Sequence, residues 1–146
     1  LSRYQQKNID DFNNKIHSTW KHIFIVVDEA SELFAKRENS EAKARIREIE
    51  QMMTSICRMG RAAGFHIILS TQRPSVDSIP GAMKACIDAK ICGRVTSDTE
   101  SILVLDNADA VKRIPEPIPG RFLFNDTLFQ AFYVDEEDME VRSGEF

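Results

Sequence analysis

The chain has 146 residues, 42% of them hydrophobic and 29% charged, which is the size and balance of one globular domain with a real core. Its longest apolar run, residues 23–27, falls far short of the ~20 residues a membrane span needs, and Leu1-Ser2-Arg3-Tyr4-Gln5-Gln6 offers no apolar signal core. The composition therefore argues against a membrane-embedded, secreted or disordered chain. A start at Leu1 without Met leads us to expect a piece of a longer protein.

The formal charge of −4 is unevenly placed. Residues 135–146 hold six acids (Asp135, Glu136, Glu137, Asp138, Glu140, Glu145) against Arg142, a local −5 that leaves +1 on the remainder. Tight nucleic-acid binders usually carry a strongly basic face. None exists globally, so any DNA contact is expected from a local patch or from another part of the protein. Cys57, Cys86 and Cys92 lack C-x-x-C spacing and read as buried, inert thiols; His17, His22 and His66 show no metal-ligand spacing with them.

The first element is a helix over residues 10–21, with Ile9, Phe12, Ile16 and Trp20 on one face. Residues 22–29 come next, a β-branched and aromatic run ending in two acids, expected as a strand buried on both faces. Ile46, Ile49, Met53 and Ile56 recur at helical spacing, so a long helix runs from Ser40, which can cap it, to Gly60 or Gly64. Residues 65–70 form a second buried strand, ending at Thr71-Gln72-Arg73-Pro74. A short helix fits residues 81–87. Residues 89–95 make a third strand weakened by Gly93, and Ser97 or Asp98 caps a helix over residues 100–105. Residues 121–124 and 128–134 flank Asn125-Asp126-Thr127 as a hairpin. The order of elements gives an α/β fold with a mostly parallel sheet flanked by helices and a C-terminal antiparallel hairpin, in a single domain over residues 1–146.

Two places carry chemistry. Asp28 and Glu29 sit at the carboxyl end of a buried strand, where open parallel sheets bind ligands. An aspartate there can hold magnesium, and an adjacent glutamate can orient an attacking water; the alternative is a pair of solvated acids. Ser70-Thr71-Gln72-Arg73-Pro74 trails the next buried strand. If the strands are neighbours, Gln72 lies beside the acids; otherwise the segment is a polar turn before a proline.

Together with Arg61-Ala62-Ala63-Gly64-Phe65-His66, these stretches make the sequence resemble the FtsK/SpoIIIE family of ATP-driven DNA translocases. Ile25-Val26-Val27-Asp28-Glu29 matches the Walker B strand, and Ser70-Thr71-Gln72-Arg73-Pro74-Ser75-Val76-Asp77 is the most specific match. Others come in family order: Val95-Thr96-Ser97-Asp98, Gly120-Arg121-Phe122-Leu123, and Phe132-Tyr133-Val134-Asp135-Glu136-Glu137, whose acids the family would place at a helix start.

The resemblance implies the C-terminal half of a RecA-like P-loop motor core using ATP and Mg2+, in a homo-oligomeric ring, usually a hexamer, around double-stranded DNA. On that basis Asp28 holds Mg2+ through water, Glu29 is the catalytic base, Gln72 senses the γ-phosphate, and Thr71 and Arg73 belong to the nucleotide-binding loop. The family also places an arginine acting in trans after the T-Q-R-P segment. Lys90 stands at that position and Arg94 just beyond it; Arg94 is the choice, with Lys90, Arg58 and Arg61 kept open, because lysine lacks the fork that guanidinium offers to phosphate.

Two departures qualify the match. No G-x-x-x-x-G-K-[ST] occurs anywhere in the chain, so this stretch alone should bind ATP weakly and be inactive. The three prolines in residues 115–121 replace a glycine-rich stretch of chromosome-segregation members and tilt the reading toward conjugative or mobile-element DNA transfer. A secretion-system ATPase of the same superfamily, acting on proteins, is the alternative. The resemblance further implies a membrane-anchored protein working at the cytoplasmic face, with no membrane contact from this stretch.

Overall fold

A computed structural model describes residues 6–35, 37–75 and 78–135. Val76, Asp77 and the acidic stretch from Glu136 onward, with the helix start expected there, lie outside the described residues. The chain divides into two compact units, Leu1–Asp88 and Ala89–Phe146.

In the first unit, α1 (Ile9–Ile16) is capped by Asn8, whose side chain accepts from the Asp11 N–H. The helix ends a turn earlier than its apolar spacing predicts because His17 takes the left-handed conformation, φ 50°. Trp20 still packs edge-on against Phe12, with ring centroids 5.4 Å apart. Its backbone is pinned by the Asn13 amide, which donates to Trp20 O at 2.8 Å and accepts from Trp20 N at 3.0 Å.

β1 (Ile23–Val27) and β2 (Phe65–Leu69) pair in parallel with Val27 opposite Leu69. Between them run α2 (Ala30–Leu33) and α3 (Ser40–Met59). Asn39, one residue before the expected Ser40, caps α3 by accepting from the Glu41 N–H at 2.8 Å. Gly64 closes the turn into β2 at φ 81°, a conformation that favours glycine. After β2, α4 is a single turn, Gly81–Lys84.

Ala30, Phe34, Met53 and Met83 form the core of this unit, with Val27, Ile67 and Leu69 packed against it from one face of the sheet. The other face departs from the expected two-sided burial. Phe24, Val26 and Ile68 are 61%, 64% and 51% exposed. A strand's hydrophobicity records that something can cover it, and the helices of this unit that build the core pack on the Val27–Leu69 side.

The second unit begins with β3, only Ile91–Cys92. β3 pairs antiparallel with β4 (Arg121–Phe124), and β4 pairs antiparallel with β5 (Thr127–Gln130), so the third strand joins the terminal hairpin. α5 (Asp98–Leu105) starts in a capping box, Ser97 accepting from the Glu100 N–H while Glu100 accepts from Ser97 N. α6 (Asp109–Arg113) comes after it. Cys92, Leu105, Ala110, Ile114 and Leu123 make the core. The Ser101 hydroxyl is fully buried and satisfied, donating to Asn107 O at 2.7 Å and accepting from Ala110 N at 3.0 Å.

All three cysteines are free; Cys92 is buried, Cys57 and Cys86 half-buried. Burial pushes the Cys57 and Cys92 thiols up, away from thiolate chemistry. Among the described residues no helix is long and apolar enough to cross a membrane.

Candidate functional site

The parallel register that sets Val27 beside Leu69 also brings the segments beyond the two strand ends side by side. The ladder continues into them: Ser70 N donates to Val27 O at 2.9 Å, and Ala30 N donates to Ser70 O at 2.7 Å. The Ser70 hydroxyl donates to the Asp28 carbonyl at 2.6 Å and lies 3.5 Å from its carboxylate Oδ1. This fixes the backbone at the first acid while the Asp28 carboxylate stays in solvent.

Glu29 is half-buried and doubles as the N-cap of α2. Its Oε1 accepts from the Ser31 hydroxyl at 2.5 Å and from Ser31 N at 3.2 Å. Its Oε2 accepts from Gln72 N at 3.0 Å. The Gln72 N–H first, then the Ser31 and Thr71 hydroxyls, lower the Glu29 carboxyl to about 2, because each donor favours the ionised form. The group is a carboxylate at any physiological pH.

The structure thus brings Asp28, Glu29, Thr71 and Gln72 to one rim, with the Gln72 side chain exposed. Thr71 Oγ1 also accepts from Arg73 N at 3.3 Å, and Arg73 O accepts from the Ser78 hydroxyl at 3.1 Å, so Arg73 shapes the loop with its backbone while its side chain is exposed. Arg58 is exposed near the end of α3 and Arg61 just beyond it; Arg61 makes a 4.0 Å surface pair with Asp88. Lys90 and Arg94 belong to the second unit. Lys90 is committed there, its ammonium paired with Asp106 and its N–H donating to Asn125 Oδ1 at 2.9 Å. Arg94 is exposed, and its Nε reaches the Pro115 carbonyl at 3.5 Å.

Sequence reading missed Ser31 and Ser70 as partners of the two acids. The available signal was a hydroxyl two residues after Glu29, the offset at which an N-capping side chain meets the second turn residue. No group of three or more His, Cys, Asp or Glu that could hold a metal occurs among the described residues. A single exposed carboxylate, Asp28, suits a magnesium ion held mainly by phosphate and water oxygens.

This fold is that of a P-loop ATPase motor core. Residues 4–76 match the FtsK/SpoIIIE family, and the chain belongs to that family. It is 32% identical, over 94% of its length, to the DNA translocase FtsK of Clostridium acetobutylicum, and 33% identical over 92% to that of Sporosarcina ureae. It spans 18% of the length of each. Among solved structures, it is similar to the pCW3 conjugation coupling protein TcpA, a monomer form with ATPγS, at 34% identity and a TM-score of 0.85, covering 97% of this chain and 43% of that one. It is also similar to the cytoplasmic domain of the Type VII secretion ATPase EccC of Thermomonospora curvata, at 28% identity and a TM-score of 0.65, covering 94% of this chain and 17% of that one.

Proposed function

We propose that the chain is the Walker B and sensor half of one ATP-hydrolysing motor domain, and that the complete protein moves DNA, in conjugative or mobile-element transfer. The observation that carries this is the Glu29–Gln72 contact at the carboxyl ends of the parallel pair, beside Asp28. ATP is the substrate. Oxygen of a water molecule bonds to the γ-phosphorus, the bond from that phosphorus to the bridging oxygen of ADP breaks, and the water's proton passes to the Glu29 carboxylate. Asp28 would hold Mg2+, which supplies charge neutralisation at the phosphates when bound. The Gln72 side-chain amide, projecting from a loop whose backbone is anchored on Glu29, donates to the terminal phosphoryl oxygens and orients the water. Thr71 and Arg73 give that loop its shape.

Arg94, exposed and free of an acid partner among the described residues, is the arginine we assign to act in trans on a neighbouring subunit's nucleotide, in a hexameric ring. The phosphate-cradling loop belongs to another part of the protein, so this stretch alone does not turn over ATP. A membrane anchor would lie elsewhere too, with this motor on the cytoplasmic side, as the EccC neighbour is a cytoplasmic domain.

DNA as substrate is supported by the TcpA and FtsK likenesses. The EccC likeness favours a second reading, transport of protein, but at a lower identity and TM-score. DNA binding by the full-length protein across a salt series decides between them. A DNA motor gives a gel shift that weakens steeply with salt and an ATPase stimulated by duplex DNA. No shift, with binding of an export-signal peptide, would transfer the assignment to secretion.

A further inference from the structure

The backbone that carries the Gln72 side chain is held one peptide at a time. Gln72 N donates to Glu29 Oε2 at 3.0 Å, and Arg73 N donates to Thr71 Oγ1 at 3.3 Å. The next peptide joins Arg73 to Pro74 and has no N–H, because proline lacks one. Its one polar handle is the Arg73 carbonyl. That carbonyl accepts from the Ser78 hydroxyl at 3.1 Å.

Ser78 is 3% exposed, and its hydroxyl is used to capacity. A serine hydroxyl has one hydrogen to give and two lone pairs to offer. The hydrogen goes to Arg73 O, so in the 2.8 Å contact between the two hydroxyls Ser75 is the donor. The other lone pair takes Ser75 N at 2.7 Å. One buried oxygen therefore ties three groups of the loop together, and Ile79, the next residue, packs against the core of Ala30, Phe34, Met53 and Met83. Gln72, Arg73 and Ser75 are themselves exposed, so packing of their own side chains does little to hold them. The loop is fixed from behind, through Ser78.

We propose that Ser78 is a positioning residue for the Gln72 amide: its hydroxyl ties the far side of the loop to the core, as Glu29 ties the near side, and so holds Gln72 where it meets the terminal phosphoryl group. The proposal rests on the reading of Gln72 as the group that faces that phosphoryl. Ser78 touches no nucleotide. Its effect on turnover passes entirely through Gln72, and it cannot exceed what Gln72 itself contributes.

The test uses the full-length protein with Ser78→Ala, Gln72→Ala and the double variant, reading kcat and KM for ATP and the single-turnover rate of bound ATP, which counts folded, loaded protein alone. Ser78→Ala should lower kcat and the single-turnover rate by about five- to tenfold, because a displaced amide loses the geometry on which its contact depends. KM should stay within about twofold, the pattern of an interaction made in the transition state. Adding Ser78→Ala to Gln72→Ala should cost nothing further, since the group being positioned is already gone. An unchanged rate in Ser78→Ala, a raised KM at constant kcat, or the same fold-loss with and without the Gln72 amide overturns the proposal. Failure of the underlying reading shows separately: a Gln72→Ala variant with wild-type turnover removes Gln72 from the phosphoryl group, whatever Ser78→Ala does.

Discussion

The backbone N–H of Gln72 reaches Oε2 of Glu29 at 3.0 Å, across 43 residues of sequence. Because the bond uses the backbone, it survives any side chain at position 72 except proline. The side-chain amide of Gln72 is not used in this bond, so the backbone contact and the role we propose for the amide can be taken apart by mutation.

Gln72→Ala should keep the Glu29 contact and the fold, leaving stability within about 0.5 kcal/mol as for other exposed positions. Turnover of the full-length protein should fall about 10- to 100-fold through the lost amide. Equal turnover in Gln72→Ala and wild type would show that the amide does not face the phosphoryl group. Steady-state ATPase rates beside a urea unfolding curve separate these outcomes.

Lys90 and Arg94 should also separate. Lys90 is held by Asp106 and Asn125 within the second unit, so Lys90→Ala should lower stability modestly and leave per-subunit chemistry largely intact. Arg94→Ala should leave stability alone and abolish turnover, and mixing Arg94→Ala subunits with Glu29→Gln subunits should restore part of it. Rings that stay dead on mixing would remove Arg94 from a role in trans.

How much of this was legible beforehand depended on whether the signal was local. α3 announced itself through Ile46, Ile49, Met53 and Ile56, and β1 and β2 through β-branched runs, because period and branching act within a few residues. The neighbouring of Asp28-Glu29 and Thr71-Gln72 could be anticipated because both segments trail such runs. The exposure of Phe24 and Val26 was not legible, since the sequence states that a face is apolar and not which elements reach it. β3 shrank to Ile91–Cys92 and joined β4 rather than β1 or β2, a choice made by long-range pairing. Glu29 as cap of α2 was hidden because an acid before a short helix reads equally as catalyst or cap. The structure shows the cap; catalysis is the role we propose for it.

Gly64 carries a conformational requirement that a stability measurement exposes. At φ 81° a Cβ there would lie 2.8 Å from Ile9 Cδ1. Gly64→Ala should destabilise the protein by about 1–3 kcal/mol, combining left-handed strain with displacement of Ile9. A shift in the urea midpoint at unchanged slope reports it. A neutral result would mean that the turn between Gly60 and β2 adapts freely.

Glu100 gives the pH dependence. Hydrogen bonds first from the Thr96 N–H, then from the Thr96 hydroxyl and Ser97, hold its carboxyl below the ordinary glutamate value of 4.5. A carboxyl lowered in the folded state stabilises above the unfolded value and loses that contribution as pH falls through the folded one. The stability advantage of wild type over Glu100→Gln should therefore be constant above pH 4.5 and shrink in more acidic solution. An advantage that grows with acid would reverse the sign of the capping argument.

The mechanism turns on Glu29 taking the proton of the water that attacks ATP. Glu29→Gln in the full-length protein, with ATP affinity and single-turnover hydrolysis read on the same preparation, isolates that step. Glutamine keeps the shape, and its one amide oxygen can accept from Ser31 or from Gln72 N but not from both, and it is no base. Binding should stay within a few-fold of wild type while hydrolysis slows by about 10²–10⁴. Hydrolysis near the wild-type rate with binding intact would show that Glu29 is not the base.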